Sequence, residues 1–441
     1  MNPRLTNTPS VAIHTHGCKL NQADSSRLAR QFLAAGYRLV DSATDADVFV
    51  LNTCTVTATA DARARQALRT ARRKNPNAII VATGCYSQRA AQELHRLDVV
   101  SLVVGNTGKS ELVSLVSTLS QGQYRPDGEG GVPARQTPQT GKSVSRNWGR
   151  IRAMIKIQEG CNQACAYCIV PKVRGRERSI PPDSLIEQVN QHVAEGGQEV
   201  VLTGTQLGTY GIDLPGTNLS NLLKRLLDES QVTRLRVSSL QPQEITPELL
   251  DLWQDHRLCP HFHVPLQAGC DRILKAMRRR YDTAQFAQTT GLIRRTLPDA
   301  AITTDLIVGF PGEGEAEFRE SLQFADSVGF SNMHVFPYSR RPGTSAAHLE
   351  NPVPEADKSE RMSAMLAMSR RNFLAFREQQ LGTVRPVLWQ SSSIRRGETW
   401  WSGLTDNYVR VSARSEQDLR NTITLACLDG MEEDTVLAEI R

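Results

Sequence analysis

Six of the nine cysteines in this 441-residue chain fall into two sets that could bind a metal. In the first, Cys161-Asn-Gln-Ala-Cys165-Ala-Tyr-Cys168 puts three thiols on one short loop after an apolar segment that reads as a strand. Three thiolates can bind three irons of a cubane 4Fe–4S cluster and leave the fourth iron open. An open iron can chelate the amino and carboxylate groups of S-adenosylmethionine. One electron from the cluster then breaks the sulfonium bond and gives a 5′-deoxyadenosyl radical. Structural zinc is the competing reading. It needs four ligands, commonly in paired Cys-x-x-Cys units, and no Cys or His lies between Cys168 and His192.

The second set shares a placement rather than a local spacing. Cys18, Cys54 and Cys85 each end an apolar run: VAIHTHGC, VFVLNTC and AIIVATGC. The carboxyl ends of parallel strands lie along one edge of a sheet, where ligand sites form. Three thiols at three such ends can converge. Gly17 and Gly84 precede two of them and permit sharp turns. A second 4Fe–4S cluster, with an open iron able to hold sulfur, is the natural candidate. The bland alternative is three small buried residues, since free cysteine is often a core residue.

The elements that must position these thiols follow from the pattern. Strand-like runs at Val11–Gly17, Val48–Thr53, Ala78–Gly84 and Val99–Gly105 alternate with helical stretches, including Gln22–Tyr37 and an Arg-rich segment ending at Lys74. Short apolar strands between helices predict a doubly wound parallel sheet. Gln121–Asn147 is rich in Gly, Pro, Gln and Ser and reads as a linker. Strands are then expected at Met154–Ile157, Glu199–Thr205, Arg234–Leu240, His261–Gln267, Ala301–Gly309 and Asn332–Tyr338, with helices between them. Six βα units are fewer than the eight of a closed barrel, so a partial (β/α)6 barrel is expected. After a helix near Glu355–Gln380, the runs Thr383–Gln390, Thr399–Ala413, Asn421–Met431 and Asp434–Ile440 suggest a small antiparallel β-barrel. The overall class is α/β, divided as 9–121, a linker at 122–147, 148–380 and 381–441.

The Cys161 loop, with Tyr167 before its last cysteine, resembles the radical SAM superfamily. That implies a partial barrel with its chemistry at the carboxyl ends of the strands. Thr15-His-Gly-Cys18-Lys-Leu-Asn21-Gln-Ala-Asp24-Ser25, Asn52-Thr-Cys54 and Gly84-Cys85 look like the N-terminal domain of methylthiotransferases, and the terminal β-module resembles an RNA-binding TRAM domain. The resemblance covers nearly the whole chain. It implies two 4Fe–4S clusters and two S-adenosylmethionine molecules per turnover. One methylates a sulfur on the auxiliary cluster, and the other yields the radical that abstracts the substrate hydrogen. Substrates in the family are isopentenyladenosine in tRNA, threonylcarbamoyladenosine in tRNA, and an aspartate of a ribosomal protein. Arg236-Val-Ser-Ser-Leu240, His263-Val-Pro-Leu-Gln267, Met277-Arg-Arg-Arg-Tyr281, His334-Val-Phe-Pro-Tyr-Ser-Arg340 and Thr405-Asp-Asn-Tyr408 most resemble the threonylcarbamoyladenosine branch. The partners implied are the anticodon stem-loop of tRNA and a reductant protein such as flavodoxin or ferredoxin.

Further contacts to S-adenosylmethionine are expected from Tyr167, from Gly204 and Gln206 where the superfamily often has Gly-Gly-Glu, and from Gln267, Asp305 and Gly309 at strand ends. An ordinary Gly-Pro turn is the alternative for the Gly309–Gly312 segment. Arg174, Arg176 and Arg178 are candidates for tRNA phosphates or a substrate carboxylate, or form a solvated loop. Arg63, Arg65, Arg69, Arg72, Arg73 and Lys74 form a candidate phosphate stripe or a solvent face.

A net charge of +6 is compatible with a nucleic-acid partner without requiring one. From Leu381 onward seven arginines face nine acidic residues, so that module is not itself basic. Trp389, Trp400, Trp401 and Tyr408 are candidates to stack on bases or to form a barrel core. Cys259, Cys270 and Cys427 read as structural, with a small zinc site beside His256, His261 and His263 as the minor alternative. No secretory h-region and no long apolar span is visible, so a cytoplasmic protein with no membrane span is expected. A metal-binding, non-enzymatic RNA-binding sensor is the reading from a different class.

Overall fold

The computed structural model describes residues 8–120 and 151–441, and they divide into two compact units. The expected linker at 122–147 lies outside the described residues.

The first unit contains β1 (Ser10–Thr15), α1 (Lys19–Ala34), β2 (Arg38–Leu39), β3 (Val48–Thr53), α2 (Ala58–Lys74), β4 (Ile79–Gly84), α3 (Cys85–Arg89), α4 (Ala91–His95), β5 (Leu102–Val104) and α5 (Leu112–Ser120). Its sheet is wholly parallel, in the order β2-β1-β3-β4-β5. Successive side chains of a strand point to opposite faces. Val11, Ile13, Val48, Val50 and Val81 pack with Leu28 and Phe32 of α1 and Val116 of α5. Ala12, Phe49, Leu51, Ile80 and Ala82 pack on the other face with Ala64 and Leu68 of α2 and Leu94 of α4. Burial on both faces explains the continuous apolar runs and confirms the doubly wound reading.

The second unit begins with β6 (Arg152–Lys156) and β7 (Gln158–Glu159). The next helix, α6 (Val170–Arg174), belongs to the first unit. Then come β8 (Arg178–Ser179), α7 (Pro182–Ala194), β9 (Glu199–Thr203), α8 (Leu219–Glu229), β10 (Arg234–Val237), α9 (Pro247–Leu250), β11 (His261–His263), α10 (Asp271–Ala276), α11 (Thr283–Thr296), β12 (Ala301–Val308), α12 (Glu315–Val328), β13 (Asn332–Pro337) and α13 (Glu355–Glu378). Six parallel strands form two ladders, β10-β9-β6 and β11-β12-β13. Backbone bonds such as Leu240 N–H to His263 O (3.0 Å) join the two ladders. This is the expected six-unit barrel. Its third and fourth strands are shorter than the apolar runs suggested.

β14 (Val384–Arg395), β15 (Glu398–Thr405), β16 (Arg410–Arg414), β17 (Ile423–Glu432) and β18 (Thr435–Ile440) close into a small barrel in the order β14-β15-β16-β18-β17. Four of its neighbouring pairs are antiparallel and β16–β18 is parallel. A closed ring with an odd number of strands cannot be antiparallel throughout, so the antiparallel expectation needs this one correction. Thr399–Ala413 is two strands rather than one. Trp389 and Trp401 lie in the barrel core, which removes them as base-stacking surfaces.

The turn Thr405–Tyr408 fixes this barrel to the amino ends of the larger barrel's strands. Glu199, fully buried at the start of β9, accepts from Arg234 (3.0 Å) and Arg236 (3.2 Å) on β10. Arg234 donates to the carbonyls of Leu404 (3.1 Å) and Thr405 (2.8 Å), and Arg236 to that of Asp406 (2.9 Å). Tyr408 stacks on His261 at 4.3 Å, beneath the Arg236 guanidinium. Tyr408 therefore belongs to a joint, not to an RNA-facing surface.

Burial pushes the Glu199 carboxyl up, but Arg236, Arg234 and Arg152 outweigh it and hold its pKa below the ordinary value of 4.5. A depressed carboxylate contributes stability above its unfolded pKa and loses it as pH falls through the folded value. The joint should therefore fail in acid. Glu199→Ala, which strands two buried cations, should cost about 3–5 kcal/mol. It should also flatten the acid limb of stability, as read by urea midpoints across pH 3–7. An unchanged midpoint would refute the role given to this carboxylate.

Candidate functional site

The strand order 2-1-3-4-5 reverses direction between β1 and β3, and ligands bind outside the carboxyl ends of strands at such a switch point. Cys18 follows β1, Cys54 follows β3 and Cys85 follows β4, the three adjacent central strands. Gly17 has φ +143°, and a Cβ there would lie 3.1 Å from that of Cys54. Gly84 has φ +99°, and a Cβ there would meet the Thr53 carbonyl at 2.4 Å. Only glycine tolerates such approaches. The side chains of Asn21 and Asn52 hold the first two loops together. Asn21 donates to the Thr53 carbonyl (2.9 Å), and Asn52 donates to the Asn21 carbonyl (2.8 Å) and to Ser25 Oγ (3.0 Å).

Cys54 lies within electrostatic reach of both Cys18 and Cys85. Burial first, with smaller contributions from the neighbouring Cys18 and Cys85, pushes the Cys54 thiol up to about 12 against the opposing Val56 N–H. Cys18 stands at the N-cap of α1 and Cys85 is the first residue of α3. An all-sulfur donor set of this kind suits a zinc or iron–sulfur group. The same unit takes in Cys161 and Cys168 with the segment behind them. There Ile169 and Val173 pack on Cys85, and Gly160 sits at φ +82° with no room for a Cβ against the Arg176 carbonyl.

Arg174 is buried rather than offered to phosphate. It donates to Asn21 Oδ1 (2.7 Å) and pairs with Asp24 (3.2 Å), which also takes Lys109 Nζ at 2.7 Å. Arg176 and Arg178 are exposed. In the Arg-rich helix, Arg72 binds the Val99 and Ala78 carbonyls and Arg65 pairs with Glu93 (2.9 Å), while Arg63, Arg69, Arg73 and Lys74 are exposed.

In the second unit, Cys165 Sγ accepts from Arg279 at 3.4 Å. Burial opposes the charge on Arg279, but Tyr167, Tyr281 and Cys165 more than restore it, and its pKa rises. Arg279 also binds Gln241 (3.2 Å), which donates to Gln163 (3.0 Å) and Gln206 (2.6 Å). Gln206 in turn donates to Glu244, and Gln158 Oε1 accepts from the backbone of Thr205 and Gln206, both at 3.0 Å. Gln206 thus stands in a polar network around Cys165, and Gly204 lies against Gln158 with little room for a Cβ. Arg279, Gln241, Gln163 and Glu244 extend that network; Gln163 lies within the Cys161 loop and Arg279 within Met277–Tyr281, but nothing in the sequence marks any of the four as a site residue.

Asp305 lies apart from that network. Its Oδ1 takes His263 Nε2 (3.1 Å) and His334 Nδ1 (3.2 Å), while His263 Nδ1 meets Ser239 Oγ (2.7 Å). Burial pushes the Asp305 carboxyl up, but the two imidazoles bring it well below the carboxylate range. His261 instead bonds Thr303 Oγ1 (3.1 Å), so His261 and His263 are engaged separately. Gln267 takes φ +68° and bridges β12 through Asp305 and Ile307. Gly309 N–H donates to Glu313 (2.6 Å), itself paired with Arg361 (2.9 Å).

Comparison with known proteins places this arrangement. The family described as uncharacterized protein family UPF0004 matches residues 10–105, and the Radical SAM superfamily matches 155–325. The structure of the radical S-adenosylmethionine methyltransferase TsrM from Kitasatospora setae, with cobalamin and a 4Fe–4S cluster bound, aligns with TM-score 0.54. It has 16% identity and covers 77% of each chain, a likeness of fold. The chain thus carries a radical SAM domain, of a superfamily that uses a 4Fe–4S cluster and S-adenosylmethionine. Threonylcarbamoyladenosine tRNA methylthiotransferase MtaB of Bacillus subtilis (strain 168) is 37% identical over 413 residues, 93% of this chain and 91% of the relative. The enzyme of that name from Aquifex aeolicus is 38% identical over 411 residues, 93% and 98%. The chain belongs to the tRNA methylthiotransferase family, whose MtaB-type enzymes carry two clusters. Among the described residues no helix is long and apolar enough to cross a membrane.

Proposed function

We propose that this enzyme inserts a methylthio group at C2 of N6-threonylcarbamoyladenosine beside the anticodon of tRNA. Cys161, Cys165 and Cys168 would hold the radical-generating cluster, and Cys18, Cys54 and Cys85 the auxiliary one. The convergence of three strand-end thiols in the first unit carries the reading, because it adds a second sulfur-rich site to the Cys161 loop. When bound, the two groups supply the electron that cleaves S-adenosylmethionine and the sulfur that is transferred.

The chain's own residues position and neutralise. Arg279 directs a guanidinium at Cys165 and supplies positive charge beside the loop. Gly204 and Gln206, backed by Gln158 and Gln241, offer backbone and amide groups to the methionine moiety of the cofactor. Tyr167, Gln267, Asp305 and Gly309 are assigned to the remaining cofactor contacts. Residues 9–121, 148–380 and 381–441 are taken as the auxiliary-cluster, radical and TRAM domains around a linker at 122–147. A flavodoxin- or ferredoxin-type protein supplies electrons, and the cytoplasm is the proposed location. The relatives' names support the threonylcarbamoyl substrate over isopentenyladenosine or a ribosomal aspartate.

Mass spectrometry of nucleosides from bulk tRNA tests this. Deleting the gene should remove the methylthio form and raise threonylcarbamoyladenosine by the same amount. An unchanged nucleoside profile would overturn the tRNA reading.

A further inference from the structure

Lys109 is a long cationic side chain that no motif explains. Its side chain is 2% exposed, on the turn between β5 and α5, and its Nζ meets Asp24 Oδ2 at 2.7 Å. Asp24, from α1, is 1% exposed, and the same oxygen takes Arg174 at 3.2 Å. The same carboxylate oxygen thus meets two buried cations. Buried cations favour a source of negative potential beside them.

The neighbourhood contains one. Lys109 is within electrostatic reach of Cys85. Val173, next to Arg174, packs on Cys85, and Asn106 donates both to the Cys85 sulfur (3.6 Å) and to the Val173 carbonyl (2.8 Å). The cationic pair and the Cys85 thiol are thus buried near one another in the first unit.

We infer that Lys109 is a positioning residue that sets the charge environment of the auxiliary cluster, neutralising its Cys85 side and raising its reduction potential. This rests on the assignment of Cys18, Cys54 and Cys85 as cluster ligands. A fixed positive charge in a low-dielectric pocket stabilises the more negative, reduced state of a nearby iron–sulfur group. Removing that charge must lower the potential, and removing the opposing Asp24 charge must raise it.

The experiment uses the full chain with Cys161, Cys165 and Cys168 all changed to Ala, reconstituted anaerobically so that only the auxiliary site loads. Iron content is measured first, and the midpoint potential is then read by redox titration with electron paramagnetic resonance. If this parent takes up no iron, the ligand assignment fails, a result distinct from any failure at Lys109. In a loaded parent, Lys109→Met should shift the midpoint negative, Asp24→Asn should shift it positive, and Lys109→Arg should leave it near the parent. Equal midpoints in parent and Lys109→Met, or shifts of the same sign in Lys109→Met and Asp24→Asn, would overturn the inference. Should Lys109→Met keep parental helicity but lose iron, recovery in Lys109→Arg supports a charge role. Loss in both variants overturns it.

Discussion

Alanine at Cys165 will abolish S-adenosylmethionine cleavage and halve the iron content, leaving the rest of the enzyme folded. Cys165 is half-buried beside Arg279 in the barrel unit, while the strand-end thiols are formed by a different part of the chain. On the proposed assignment, losing one of the three Cys161-loop thiols removes one cluster site and leaves the strand-end thiols intact. Anaerobic reconstitution should therefore give about four irons per chain instead of about eight. Release of 5′-deoxyadenosine under dithionite should fall to the level of a no-enzyme control. Undiminished release from the Cys165→Ala protein would remove the basis for assigning the radical to this loop.

The complementary substitution separates radical formation from sulfur insertion. Cys54 is the central member of its trio, flanked by Cys18 and Cys85, and sits at the end of the central strand β3. Cys54→Ala should also hold about four irons. It should still cleave S-adenosylmethionine, so that 5′-deoxyadenosine appears without methylthiolated nucleoside. Product formation at the wild-type rate would make Cys54 a core residue and nothing more. Zinc in place of iron at both sites, with no cofactor cleavage, would favour the sensor reading instead.

The parts of this molecule that could be read in advance are those encoded locally. Val48–Thr53 was legible to the residue because burial on both faces leaves an unbroken apolar run. The Cys161 loop declared itself by spacing, and the strand-end cysteines by what precedes them. Boundaries failed where sequence chemistry hid the geometry. The run starting at His261 continues through Val-Pro-Leu-Gln, yet the ladder stops at His263 because Pro265 has no N–H to give and Gln267 turns left-handed. Two strands were joined across Thr405–Tyr408 because a left-handed tyrosine, φ +73°, is not a usual turn signal. The charged groups of the site were hidden for another reason. Asp24 meets Lys109 across 85 residues and Arg174 across 150, and Cys165 meets Arg279 across 114. No window of sequence contains such pairs, so Arg174 read as a solvent-facing phosphate ligand until the fold brought it to Asp24.

The joint at Thr405–Tyr408 bears on how such an enzyme diversifies. Arg234 and Arg236 grip carbonyl oxygens of the main chain, which every residue type possesses. Mutations over the outer strands of the small barrel can thus accumulate and retune its contacts while the attachment stays sound. Selection is free to redesign the accessory module at little cost to the machine that bears it.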